Sequence, residues 1–469
     1  MSRASQELLG GPGDGTAAGA SICPPGGSEE RRRLARAARH DRASASERRQ
    51  RLLFYCQHSL GLGHLARSLR LAAALARAVD VVLLNGGRFP PGTQIPAGID
   101  VVNLAPLGHD EAFKLISHDP ALSVEEAKRL RRTAVLDALD RTSPDVVLIE
   151  MYPFGRRKFE FELLPLLDAA ARPGGPRVVC SLRDILVNQR RDQAAYDDRV
   201  CERANRYFDA ILVHSDPAFA RLEDSFSPTT PLKVPVHYTG FVAPPAMTSD
   251  QIDRMPRLLV SSGGGMVGEP LVRAAVGVHR ELAERTGLTT TVVAGPFLPD
   301  PAWEWLRAQA AGSPALEAVR RVDDLCQEMR RSALSLSQGG YNTTMDILRA
   351  GTPALIVPFA EGAEDEQTRR VDRLAALGLV RTVPAAELRA DRLLAELTAA
   401  ASQRPVASGL DLSGAETTAR LVADLSSVGT SKRDGGQTEG CKAGGGVRSV
   451  PTGDRHSGRI DEPSVRSTG

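Results

Sequence analysis

The chain has 469 residues, 42% hydrophobic and 25% charged, the balance of a globular protein able to bury a sizeable core in two or three domains. Its 59 basic and 57 acidic residues leave a formal net charge of +2, and this balance, with only 4% aromatic residues, argues against a nucleic-acid partner. The six cysteines (Cys23, Cys56, Cys180, Cys201, Cys326, Cys441) form no C-x-x-C pair, which argues against a zinc ribbon or a redox dithiol and for reduced thiols.

Residues 1–50 are poor in large apolar side chains and read as a disordered arm. Its arginine-crowded stretch, RRRLARAARHDRASASERRQR at 31–51, is either a solvated, partly helical segment, the favoured reading, or a basic helix in weak contact with anionic lipid or nucleic acid. No signal-peptide core and no bilayer-length apolar run is visible. The expected location is cytoplasmic, with peripheral contact at the inner membrane face as the alternative.

From residue 51 onward, apolar strand runs alternate with helical periodicity. Strands are expected at 51–56, 80–84, 100–104, 145–149, 177–181, 209–214 and 236–240, with helices at 64–78, 125–139 and 160–171. A linker with three prolines follows at 244–256. The pattern restarts with strands at 257–260, 290–294, 316–319, 333–336 and 354–357, and a helix at 416–425. Residues 428–469, rich in Gly, Ser and Thr, read as a disordered tail. The fold class is therefore α/β, with two Rossmann-like doubly wound domains at 51–243 and 257–427.

One stretch concentrates the chemistry: SLSQGGYNTTMDILRAGTPALIVPFAEGAEDEQ at 335–367. A buried strand meets a glycine turn (Gly339, Gly340), and a helix opens with Tyr341-Asn342-Thr343-Thr344. Free amides and a positive helix end then converge on one point, an anion site. Asp346, one turn on, can accept sugar hydroxyls beside that anion, and phosphate plus ribose is a nucleotide. After the strand at 354–357, an acidic loop carries Glu366 and Gln367. Near the start, Gly61-Leu62-Gly63-His64-Leu65-Ala66 has the G-x-G-x-x-A form of a dinucleotide site. The next strand ends in Asn85-Gly86-Gly87 instead of a ribose-holding carboxylate, which argues against a dehydrogenase.

These segments resemble the GT-B glycosyltransferases, in particular the MurG-like group with a family 28 C-terminal domain. The resemblance extends over about 51–426 and includes Arg321-Val322-Asp323-Asp324-Leu325, similar to that family's base-reading turn. It implies two domains facing a cleft, with the nucleotide-sugar donor in the second. There Ser262, Gly263, Gly264 and Gly265 would meet the diphosphate, and Val322 the base. Gly339, Gly340, Asn342 and Thr343 would complete the anion site. Asp346, where the family more often has glutamate, would hold the ribose, and Gln367, ahead of Glu366, the sugar. Gly61 and Gly63 would lie under the cleft.

The resemblance implies an inverting transfer to an acceptor hydroxyl, with His64 as general base, or else as a residue that caps its helix or only positions a phosphate. Asp184 would orient the histidine or act as base itself, or else cap a turn or pair with Arg183. His58 is a second candidate base, and Arg67 either faces the cleft or is a solvated surface residue. The sequence contains no D-x-D motif, so no metal and no cofactor is expected, with a UDP-sugar as the foremost substrate. The acceptor is open: a small molecule, a glycan or a lipid-linked carrier. The alternatives are a nucleotide-sugar epimerase of the same fold, or a non-catalytic nucleotide-sugar-binding protein.

Overall fold

The computed structural model describes residues 48–58, 62–90, 92–110, 114–187, 190–246, 253–359, 365–403 and 407–427. The arginine-rich arm up to residue 47, Gly61, the middle of the expected linker (247–252) and the tail from 428 lie outside the described residues.

In chain order the first half contains β1 (Arg51–Cys56), α1 (Leu62–Leu75), β2 (Asp80–Asn85), β3 (Ile99–Asn103), β4 (Leu107–His109) and β5 (Leu115–Ser117). It continues with α2 (Val124–Thr142), β6 (Val146–Glu150), α3 (Glu160–Ala170), β7 (Arg177–Arg183), α4 (Gln193–Tyr207), β8 (Ala210–His214) and β9 (Val236–Tyr238). The second half runs β10 (Met255–Ser261), α5 (Glu269–Thr286), β11 (Thr289–Val293), α6 (Asp300–Ala311), β12 (Leu316–Val319) and α7 (Leu325–Arg330). There follow β13 (Ser332–Gln338), α8 (Tyr341–Ala350), β14 (Ala354–Val357), α9 (Glu366–Ala376), β15 (Arg381–Thr382), α10 (Ala390–Ala401) and α11 (Gly414–Ser427).

The first half is a seven-stranded sheet in the order β3-β2-β1-β6-β7-β8-β9, the second a six-stranded sheet in the order β12-β11-β10-β13-β14-β15. All pairings within each are parallel. Helices cover both faces, which is why central strands such as RLLFYC and VVLIE are apolar nearly throughout. Leu53, Tyr55 and Ile149 face one layer with Leu166 and Leu167. Leu52, Phe54 and Leu148 face the other with Leu71 and Leu75. In each sheet the strand order reverses beside the first strand, between β1 and β6 and between β10 and β13. Crevices beyond the carboxyl ends of those strands are where such sheets bind ligands.

The chain crosses between the halves twice. Phe241 N donates to Asp411 O (2.7 Å) and Gly414 N to Phe241 O (2.9 Å), so the outgoing and returning segments run side by side. Gly240 sits here at φ +81°, with the Asp411 carboxylate 2.4 Å from where a Cβ would be; only glycine fits. α11, which chain order assigns to the second half, packs in the first: Ala415, Ala419 and Val422 join Leu52, Phe54 and Leu71. The β4–β5 hairpin, α4, α10 and β15 are further elements that sequence patterning leaves out.

Candidate active site

The crevice of the first half is built on Glu150, the last residue of β6, which is fully buried. His64, in the first turn of α1, places Nδ1 2.6 Å from Glu150 Oε1. Arg67, one turn on, meets the same oxygen, and Arg156 donates to Oε2 through Nη2 (2.9 Å) and Nε (3.2 Å). The turn that returns Arg156 uses left-handed backbone at Met151 (φ +66°) and Arg156 (φ +63°), an unfavourable conformation for side chains with a Cβ.

Burial pushes the His64 imidazolium down, Arg156 adds to that, and the Glu150 charge opposes it without reversing the direction. For Glu150, burial alone would raise the carboxyl; His64, Arg156 and Arg67 more than offset this and keep it below the usual carboxylate range. The pair is therefore a neutral imidazole on an ionised carboxylate. A carboxylate only accepts, so Nδ1 carries the hydrogen toward Glu150 and Nε2 holds the lone pair. Among the described residues Nε2 has no partner.

The crevice of the second half is made of main chain. Gly265 adopts φ +90°, and a Cβ there would lie 2.6 Å from Ala294 O, so the loop after β10 requires glycine. Ser262 donates its hydroxyl to Ala294 O (2.7 Å), which locks the loop and takes that hydroxyl out of the ligand site. Gly340 precedes α8 with no side-chain cap. The first intrahelical bond is Thr344 N to Gly340 O, so no described acceptor meets the amides of Tyr341, Asn342 and Thr343. Gly263 lies beside this helix start, its absent Cβ 3.9 Å from Thr343 Oγ1.

The two crevices touch. Asn342 Nδ2 donates to Gly63 O across the halves (2.9 Å). Tyr341 spans them as well: its hydroxyl takes the Val242 amide (3.1 Å) and donates to His214 O (3.3 Å). The Arg67 and Arg370 guanidiniums lie 5.3 and 5.4 Å from its ring centroid.

Other candidates meet partners that the sequence does not announce. Asp346 is buried and its Oδ1 accepts from Arg70 Nη2 (2.7 Å). Burial raises its carboxyl, against Arg70. Glu366 Oε1 accepts from Arg183 (2.8 Å), and Gln367 Oε1 accepts from Phe359 N (3.2 Å) near Gly339. Val322 is half-buried against the apolar cluster that holds Cys326 and Tyr341.

Asp184 does not orient His64. Both its oxygens are held by Arg370 (2.7 and 2.8 Å), and both side chains are fully out of water. It is an ion pair between the halves, and the carboxylate on His64 is Glu150. His58 is occupied too, with Nε2 2.7 Å from Asn85 Oδ1. Arg67 is buried, not a surface residue. Sequence reasoning missed Glu150, although a glutamate ending the apolar run VVLIE at a strand's carboxyl end is a readable signal.

Residues 263–413 match the family model described as glycosyltransferase family 28 C-terminal domain. Curated relatives include the UDP-N-acetylglucosamine--N-acetylmuramyl-(pentapeptide) pyrophosphoryl-undecaprenol N-acetylglucosamine transferase of Rhodospirillum centenum, 28% identical over 35% of this chain and 43% of that protein. The protein of that name from Sphingopyxis alaskensis is 25% identical over 67% of this chain and 74% of its own length. The chain spans under half the length of the first two curated relatives, 43% and 45%. Among solved structures, the calicheamicin glycosyltransferase CalG4 aligns with a TM-score of 0.50 at 17% identity, covering 81% of this chain and 95% of that one. The glycotransferase of kitacinnamycin aligns with the same score at 16% identity, covering 81% and 97%. This likeness is one of fold, and the fold is GT-B: two doubly wound halves facing a cleft.

Proposed function

We propose that this protein transfers a sugar from a nucleoside-diphosphate donor to an acceptor hydroxyl, with inversion and without a bound metal. One observation carries the reading. The helix start bearing His64 touches, through Asn342 and Gly63, the helix start whose amides are uncapped. A neutral base and an anion cradle thus share one cleft.

In this reading His64 takes the acceptor hydroxyl proton at Nε2. The acceptor oxygen bonds to the anomeric carbon as the bond from that carbon to the diphosphate oxygen breaks, and the electron pair leaves with the diphosphate. Its charge is met by the amides of Gly264 and Met266, since those of Gly263 and Gly265 donate within the loop, and by those of Tyr341 to Thr343, at the positive end of α8. Glu150 stabilises the imidazolium as it forms and holds its ring in place. Asp346 accepts the ribose hydroxyls, Gln367 and Glu366 those of the sugar, and the Val322 main chain meets the base.

UDP-sugars are the first donors to test, because the relatives above are named for UDP-N-acetylglucosamine. Those names also specify an undecaprenol-linked acceptor, so peripheral contact with a membrane face belongs to this reading. No described helix is long and apolar enough to cross a membrane.

The test is a thermal-shift screen of UDP-, GDP- and dTDP-sugars. A donor at a hundred times its Kd stabilises the fold by about 2.7 kcal/mol, a shift of several degrees. If no nucleotide sugar moves the melting temperature, the reading is wrong. Product analysis with the donor alone follows: an altered sugar formed without any acceptor would mean epimerisation instead of transfer.

A further inference from the structure

The two carboxylates that the proposed function assigns to donor hydroxyls, Asp346 in α8 and Glu366 at the start of α9, belong to the second half. Each is held by an arginine of the first. Arg70 Nη2 lies 2.7 Å from Asp346 Oδ1, while Oδ2 has no partner among the described residues. Arg183 grips Glu366 with both terminal nitrogens, one of them 2.8 Å from Oε1. Every carboxylate oxygen has two lone-pair directions, so a guanidinium on one side leaves the other for a hydroxyl.

Neither pair is an isolated surface contact. Arg70 lies on α1 six residues after His64, with Arg67 between, a spacing that puts all three on one side of the helix. Glu366, Arg370 and Arg373 likewise share one face of α9. All three reach the first half: Arg183, the buried Asp184, and Phe219 O at 2.8 Å. The helix after the donor loop is thus clasped along its length.

We infer that the first half supplies two positioning arginines to the donor site, Arg70 for Asp346 and Arg183 for Glu366, so that ribose and sugar are read only by the closed molecule. The inference rests on the donor reading above. Arg70 also ties the helix of the base to the carboxylate of the ribose, so that an occupied ribose site holds His64 in register. Arg183 acts only where the transferred sugar sits.

The two arginines can be separated by calorimetric titration of the full chain with UDP and UDP-N-acetylglucosamine, and with dTDP and dTDP-glucose as a second pair. The pentose, ribose in the first pair and 2′-deoxyribose with its remaining 3′-hydroxyl in the second, is common to both members of a pair, so Arg70→Met weakens both, by about tenfold, the worth of one charge-assisted contact. Arg183→Met weakens the sugar-bearing member by about tenfold and leaves the bare diphosphate within about twofold. Glu366→Gln reproduces the second split, and the double variant Arg183→Met/Glu366→Gln binds no worse than either single one. If Arg70→Met folds poorly, Arg70→Gln, titrated at low temperature, must show the same uniform loss. Variants that bind like the parent, or tighter, overturn the inference; tighter binding would mean that the arginines compete with the donor. A parent that binds neither pair overturns the donor site itself, an outcome distinct from a parent that binds and variants that match it.

Discussion

Glu150 and Asp184 stand at the carboxyl ends of neighbouring strands, both fully buried and both held ionised against that burial, Glu150 by His64, Arg156 and Arg67 and Asp184 by Arg370, yet they have different consequences. Glu150 is satisfied within its own half, and one of its partners, His64, keeps a second nitrogen free. Asp184 is satisfied from the other half by Arg370, whose remaining nitrogen faces Gly339 O at 3.4 Å. The first pair turns its unused valence toward the cleft. The second spends all of its own on joining the halves and bracing the turn before α8. A buried carboxylate at a strand end is therefore read by what its partner leaves unsatisfied.

The largest expected effect separates chemistry from binding. His64→Ala lowers kcat by about 10²–10⁴-fold, the range for loss of a general base, and leaves donor Kd unchanged. A variant with near-parental kcat would remove His64 from the mechanism. Asp184→Ala acts on the fold instead. It strands the Arg370 charge in the interior and lowers unfolding stability by about 3–5 kcal/mol, measured by urea denaturation. The double variant Asp184→Ala/Arg370→Met recovers much of that loss; an Asp184→Ala protein of normal stability would erase the contrast between the two carboxylates.

Glu150→Gln is milder in kcat, about ten- to a hundredfold, one hydrogen bond to a charged group. Because Arg67 and Arg156 also lose their anion, some stability goes with it. The smallest effect is a pH profile. His64 has a lowered pKa in the fold, through burial first and Arg156 second, so it stays unprotonated as pH falls through the range of free imidazole, about 6.5. The acid limb of kcat therefore lies below about pH 6.5, and a limb at or above it would contradict a neutral His64. His64 and the buried His214, lowered mainly by burial, bind protons in the unfolded chain before they do in the fold. Stability accordingly drops as pH falls below the same point.

How much could be read in advance differs by element. The strands Leu316–Val319 and Ala354–Val357 coincide with the sequence expectation; the second, ALIV, is buried throughout, and such a strand is a short apolar run between turn signals. The helix Gln193–Tyr207 was not expected: its apolar residues are few among QAAYDDRVCERANRY. The β4–β5 hairpin has strands of three residues each, too short for any period to register. In the site, Gly263, Gly265, Gly340 and Asn342 could be recognised because turns and helix starts follow local rules. The partners could not: His64 and Glu150 are 86 residues apart, and Asp184 and Arg370 are 186 apart.

By itself the sequence determined where the chain turns, which turns need glycine, where helix amides go uncapped, and that apolar strands alternate with helices in two runs. Those properties belong to a few consecutive residues, set by backbone sterics and local hydrogen bonding. Tertiary structure decided which charges meet. Strand order puts Glu150 under His64, the double crossing between the halves brings α9 over Asp184, and α11 returns to the half it left. Each depends on long-range packing, which no local spacing encodes.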